Sequence, residues 1–256
     1  MMRQFMKRTQ IVGFLFVAWF ARSQDLVSII EPPLAFNMAV RVAYSQTNDF
    51  RADAVLNFPD PRGSRLLFPV IYEKCGSKIS TALWFTNLTF LPEQVRNNLV
   101  SLSLNEIRAI ADIETREVLC VFPGTKSYVV LPPSPKMESL FDLKSHPSKR
   151  HVVGTEILDG VRCEKVELFE EGHPSARGIA WEKDDPHRSL VRVDVQDRSG
   201  TISVMIKSFD VKPPGDWPIS VPPGFKRYSN SLEIVNAAIL AARTNQALSM
   251  PQMTNR

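Results

Sequence analysis

The residues able to carry chemistry are three cysteines, four histidines and two pairs of adjacent carboxylates. Cys163 stands in "VVGTEILDGVRCEKVELF", Val152 to Phe169, where two alternating runs flank Asp159-Gly160. A thiolate nucleophile there needs a base close by. A two-residue Asp-Gly loop sets Leu158 opposite Val161 and Glu156 opposite Cys163. Glu156 then disfavours the thiolate, Lys165 two residues along on the same face favours it, and no histidine falls within reach in that register. His146, His151, His173 and His187 lack zinc-ligand spacing: His146 and His151 flank a proline and a basic run, with no Cys or acidic residue completing a set. Asp184-Asp185 and Glu170-Glu171 sit beside turn residues, where neighbouring side chains point apart, and they read as solvated turns rather than acid–base pairs. No GxSxG occurs and no glycine-rich phosphate loop follows a strand. These residues predict no catalytic site, no metal site and no cofactor.

The cysteines bound the redox reading. Three thiols allow one internal disulfide at most. Cys120, within the apolar run "EVLCVF", reads as a small buried hydrophobe. Spacing leaves open whether Cys75 and Cys163 pair.

The elements that position these residues are mainly strands. "AFNMAVRVAYSQ" (Ala35–Gln46) alternates with a period of two. "GSRLLFPVIYEK" and "SKISTALWFTNL" follow, joined through a turn at "KCGSK". "NEIRAIADIETREVLCVFPGTKSYVVL" holds up to three strands, with "PGTK" (Pro123–Lys126) turning between two of them. The Asp-Gly hairpin comes next, then "RGIAWEK" and "SLVRVDVQDRSGTISVMIKSFDV", which turns at "DRSG". An interruption near Glu164–Lys165 is also predicted. Val161 and Cys163 share one face while Val166 and Leu168 share the other, which calls for a bulge there or for a strand buried first on one face and then on the other.

Two helices are predicted. One starts at Pro92-Glu93 in "LPEQVRNNLVSL". The other covers Ser231–Leu248, with Ser231 as cap, Glu233 in the first turn and a stripe of Leu232, Val235, Ile239 and Ala242. The prolines of "PPSPK" and "VKPPGDWP" separate strands. The expectation is a mainly β, α+β domain of roughly eight to ten strands and two or three helices, with short turns favouring antiparallel neighbours and a sheet that curls.

Residues 1–23 form a separate segment. Arg3, Lys7 and Arg8 precede the uncharged run Ile11–Ala21, and Ala21 and Ser23 occupy the positions a signal peptidase reads. Cleavage before Gln24 is expected, because the run is too short to span a bilayer as a helix; an uncleaved anchor is the other reading. The whole chain carries 31 basic and 27 acidic residues. Four of the basic ones (Arg3, Lys7, Arg8 and Arg22) lie in the leader, so the remainder is balanced and offers no basic footprint for nucleic acid. The expected organisation is leader 1–23, linker 24–34, a domain over 35–229, and a C-terminal helix and tail over 230–256.

Aromatic residues carry the best binding signal. Phe36, Phe68, Trp84, Phe85, Phe122, Trp181 and Phe209 fall in predicted strands. An apolar sheet face that helices cover is core; one left accessible is a ligand pocket. Three stretches in fixed order, "VVGTEILDGVRCEKVEL", "GIAWEKDDPHRSLVRVDV" and "FDVKPPGDWPISVPPGFKRY", together with "FPGTKSYVVLPP", resemble the LolA/LolB-like superfamily of bacterial envelope proteins, over roughly Phe36 to Tyr228. The resemblance implies an incomplete antiparallel barrel whose open side is covered by helices and whose cavity accepts lipid or acyl chains. "LTFLPEQVRNNLVSLSLN" stands out as an insertion.

Three functions are weighed on this basis. The first is an exported, periplasmic carrier-like protein that holds a lipid, a lipoprotein acyl chain or another apolar ligand, with Trp84, Phe85, Phe122 and Trp181 as cavity candidates. The second is an envelope protein-interaction or sensing domain on the same fold, with a protein partner. The third is an enzyme with Cys163 as nucleophile, disfavoured by the missing base.

Overall fold

The computed structural model describes residues 49–59, 65–131, 148–170, 173–197, 200–211 and 219–249. The leader, the expected strand Ala35–Gln46 and the Asp216-Trp217 pair lie outside them. In chain order the elements are β1 (Phe50–Pro59), β2 (Arg65–Cys75), β3 (Lys78–Trp84), α1 (Glu93–Ser101), β4 (Glu106–Asp112), β5 (Glu117–Phe122), β6 (Ser127–Leu131), β7 (Ser148–Leu158), β8 (Val161–Glu170), β9 (His173–Lys183), β10 (Leu190–Asp197), β11 (Gly200–Asp210), β12 (Lys226–Tyr228) and α2 (Ser231–Ser249). Twelve strands exceed the eight to ten expected. Part of the excess is β1, whose alternation rests on alanines, and the three-residue β12.

The strands form a single curved, unclosed sheet in the order β12-β6-β5-β4-β3-β2-β1-β11-β10-β9-β8-β7. β1 lies at its centre. The chain meanders from it to β6, and β7 to β11 return from the far edge to pair with the other side of β1. All neighbours are antiparallel except β12, which runs parallel to β6. Among the described strands, β7 and β12 are the two edges.

One face of the sheet carries the main apolar cluster and is called inner below. Phe50, Ala52, Ala54 and Leu56 of β1 bury that face, with Arg51, Asp53, Val55 and Asn57 on the other. Val70 and Tyr72 lie opposite Ala54 and Ala52, and Val193 and Val195 of β10 lie opposite Val204 and Ile202 of β11. Period-two alternation thus becomes a continuous apolar layer across strands from the two halves of the chain. On the outer face Ile110 and Val121 pack against Ile219, so part of the "ISVPPGF" segment lies across the outside of β4 and β5.

The Asp159-Gly160 turn has the expected geometry. Both residues have positive φ, 49° and 80°, as a type I′ hairpin demands. Leu158 pairs with Val161 and Glu156 with Cys163. The irregularity expected near Glu164–Lys165 sits at that level but on the partner strand: β7 slips register between Val152 and Gly154, and Gly154 faces Lys165. β8 stays in register with β9 through this region and buries Cys163 on the outer face, then Val166 and Leu168 on the inner one.

Helix α2 begins where expected, but its cap is one residue earlier. Asn230 Oδ1 accepts the backbone N–H of Glu233 at 3.0 Å, and Glu233 Oε2 accepts the N–H of Ser229 at 3.1 Å. Asn230 satisfies a free N–H of the first turn more directly than Ser231, which is already helical. α2 buries Ile234, Val235 and Ala238, a band shifted from the expected stripe. α1 buries Leu99 in the same cluster. Gly124 lets the turn after β5 approach α1: a Cβ there would stand 2.3 Å from the backbone oxygen of Ser103, closer than any side chain tolerates.

Candidate functional site

The inner face is the largest apolar surface among the described residues. Its cluster runs from Val129 and Cys120 on one side of β1 to Val166 and Leu168 on the other, and Ile234, Val235 and Ala238 of α2 pack into it. Small residues, Ala52 and Ala54 of β1 and Ala180 of β9, lie within it and leave room for larger neighbours. The cluster borders a crevice of about 270 Å³ beside α2. Ile234 and Ala238, both buried members of the cluster, line it together with polar Ser101, Ser103, Thr125 and Asn245.

The four aromatic candidates divide between the two faces. Phe85 and Phe122 lie in the inner cluster, 2% and 0% exposed. Trp84 follows Leu83 in β3 and pairs with Glu106, which places it on the outer face. Trp181 is also on the outer face, between Ala180 and Glu182, which face inward. Alternation alone separates Trp181 from its neighbours but does not say which face is inner. Outside, Trp181 is held by charge. Lys165 Nζ lies 5.4 Å and the Arg192 guanidinium 5.1 Å from its ring centre, and its Nε1 donates to Glu156 Oε2 at 2.9 Å. The Trp181 N–H, and then Lys165 at 3.3 Å, hold the Glu156 carboxyl below the usual range. Arg192 forms two bonds to Asp194, at 2.8 and 2.7 Å. The Asp-Gly hairpin places Glu156 and Lys165 on one face in the sequence, but Trp181 and Arg192 join them from β9 and β10, whose positions beside the hairpin alternation does not reveal.

A second charged group lies on the inner face. Glu182 follows Ala180 there and is fully buried. It pairs with Arg150 of β7, which also lies 3.5 Å from Glu164. Burial pushes the Glu182 carboxyl up, and Arg150 opposes the rise. Glu182 Oε1 has no hydrogen-bond partner. A buried carboxylate at an inward position runs against the pattern used to find strands, and "WEKDD" gives no warning of it.

Cys163 has no activated setting. Its thiol is buried and donates to the Val161 carbonyl at 3.5 Å. Burial pushes its pKa up, and Glu156 adds to the rise. Cys120 is buried as expected, Cys75 is exposed at the end of β2, and all three thiols are free. His151 and His187 are exposed, and no group of three metal-ligating side chains occurs among the described residues. One thiol per native chain, that of Cys75, is therefore expected to react with a small thiol reagent, and all three after denaturation. Fast native modification of a second thiol would show that the burial of Cys163 or Cys120 is misplaced.

No protein-family model matches the chain, and no curated protein matches it. Solved structures do. They include an uncharacterised conserved protein from Thermus thermophilus, at 12% identity and TM-score 0.41, covering 77% of this chain and 99% of that one. They also include a LolA superfamily protein from Nitrosomonas europaea, at 10% identity and TM-score 0.35, covering 71% and 95%. The lipoprotein LppX from Mycobacterium tuberculosis is similar at 11% identity and TM-score 0.35, covering 73% and 100%. At these scores the likeness concerns the general form of the sheet alone. No helix among the described residues is long and apolar enough to cross a membrane.

Proposed function

We propose that this chain is an exported, periplasmic binding protein that holds an acyl chain or another apolar ligand against the inner face of its sheet. The observation that supports this most is the inner apolar cluster itself, a continuous layer over strands from both halves of the chain, bordered beside α2 by the crevice that Ile234 and Ala238 help to line. The helix contributes three buried residues to the cluster and is exposed along its other side, including Leu240. A small displacement of α2 would lengthen the crevice along the inner face. Each methylene withdrawn from water there contributes about 0.8 kcal/mol, so a long acyl chain supplies ample driving force without any charged contact. The sequence resemblance to lipid-handling envelope proteins points the same way. The free thiols and the raised Cys163 pKa give no support to an enzyme.

The test follows from the positions of the tryptophans. Trp84 and Trp181 lie on the outer face, so their emission is a poor reporter of the inner one. The purified chain is titrated instead with a fatty acid bearing a fluorophore on its chain, and with unlabelled acyl competitors in a melting assay. Saturable binding, with a rise in melting temperature that grows with chain length, is expected. No binding of any chain length overturns the proposal.

A further inference from the structure

The ion pair of Arg150 and Glu182 leaves one atom of each partner unbonded. Arg150 gives its Nη2 to Glu182 Oε2, and the same nitrogen lies 3.5 Å from Glu164 Oε2. Arg150 Nε and Glu182 Oε1 are buried and have no hydrogen-bond partner. The first is a donor fixed in the guanidinium plane, the second an acceptor on a carboxylate. Native proteins seldom leave buried polar atoms this way, because each loses its hydration without return.

The pair lies against the apolar layer. Arg150 is level with Leu168 on β8, and Glu182 is level with Glu164, four residues away on the same face. The Arg150 side chain therefore reaches diagonally across β8. Val166 lies between those two levels on that face and is fully buried. Ala180, two residues before Glu182, and Leu190, which pairs with Glu182 from β10, both belong to the main cluster. Exposure is graded. The Glu182 side chain is 1% exposed, that of Arg150 23% and that of Glu164 33%. Solvent thus approaches the pair from the side of Arg150 and Glu164, with the Glu182 carboxylate at the bottom.

We propose that Arg150 Nε and Glu182 Oε1 bind the head of the apolar ligand, and that this head is a neutral group with both a donor and an acceptor, a hydroxyl or a carboxamide. The inference rests on the inner face being the ligand site. A hydroxyl accepts from Nε and donates to Oε1 through one oxygen; a carboxamide does so through its carbonyl and its N–H. A methyl ester can accept from Nε but gives nothing to Oε1. A carboxylate head has no proton for Oε1 and meets the charge of Glu182. A quaternary ammonium offers Nε no acceptor and stands against the guanidinium. Either charged head also gives up hydration that the apolar layer does not replace. The chain of the ligand supplies the affinity, and the pair selects the head.

Competition against the chain-labelled fatty acid tests this. The competitors share one chain length and differ only in the head: alcohol, primary amide, methyl ester, carboxylate and trimethylammonium. The alcohol and the amide are expected to compete about tenfold or more better than the other three. In Arg150→Met/Glu182→Met, whose fold circular dichroism and urea unfolding confirm, the labelled chain still binds and this advantage disappears. Glu182→Gln keeps the shape, removes the charge and supplies an N–H. The carboxylate competitor is expected to gain about tenfold on the alcohol in that variant. A wild-type chain that takes up no labelled acid refutes the inner face as the ligand site, and the inference with it. Uptake with all five heads equal overturns the inference alone. So does an advantage that survives in the double variant, or a carboxylate that gains nothing in Glu182→Gln.

Discussion

Replacing Arg150 by methionine is expected to cost about 3 kcal/mol of folding stability at neutral pH. Arg150 is the described cation that compensates Glu182, whose side chain is 1% exposed. Removing it leaves a buried charge whose solvation the apolar layer cannot replace. The lower end of the range for broken buried pairs applies, because the Arg150 side chain is 23% exposed and partly screened by water. The double replacement of Arg150 and Glu182 by methionine removes both charges and is expected to recover most of the loss.

The pH dependence has a definite sign. The folded carboxyl of Glu182 titrates above its ordinary value near 4.5. The folded state therefore holds a proton that the unfolded state has already lost, and stability falls as pH rises from that ordinary value through the raised one. Without Arg150 the rise is larger, so the deficit of Arg150→Met is greatest at neutral pH and shrinks as the solution is acidified towards the ordinary carboxylate range. Urea unfolding of wild type and variant at several pH values measures this. A deficit independent of pH would show that Arg150 acts by packing alone.

Phe122→Ala is expected to cost roughly 3–5 kcal/mol, the range for emptying a buried aromatic site. Phe122 is fully buried at the end of β5, in the same cluster as Phe85 and α2. The neighbours cannot collapse freely, because the turn after β5 is already in close approach to Ser103 through Gly124. The urea midpoint should fall with an unchanged slope. If the inner face holds ligand, the vacated volume adjoins it, and an acyl chain should stabilise the variant by more than it stabilises wild type. A loss below about 1 kcal/mol would place Phe122 outside the close-packed core.

Strand content is largely legible in the sequence, but strand order is not. β8 and β10 alternate with branched residues and can be read directly. β1 alternates with alanines, which carry little hydrophobic signal, and it escapes a reading by pattern although it is the central strand. Its pairing with β11 joins distant parts of the chain, Ala52 with Phe209, and no local pattern encodes that. The same limit applies to the aromatic candidates. Alternation correctly separates Trp181 from Ala180, yet only the tertiary arrangement makes Ala180 inner and Trp181 outer. The interruption in the Asp-Gly hairpin is visible as an apolar phase change in β8, while the extra residue that accompanies it belongs to β7. Asn230 is not singled out as the cap of α2, because Ser231 beside it is an equally good cap by type.

The most direct test of the central claim is mass spectrometry of the chain purified from an exporting bacterial host without detergent. An apolar molecule is expected to be bound in near-stoichiometric amount, released on denaturation and displaced by added long-chain acyl competitors. A chain that is free of ligand under the same conditions, and that takes up none when acyl chains are supplied, would contradict the claim.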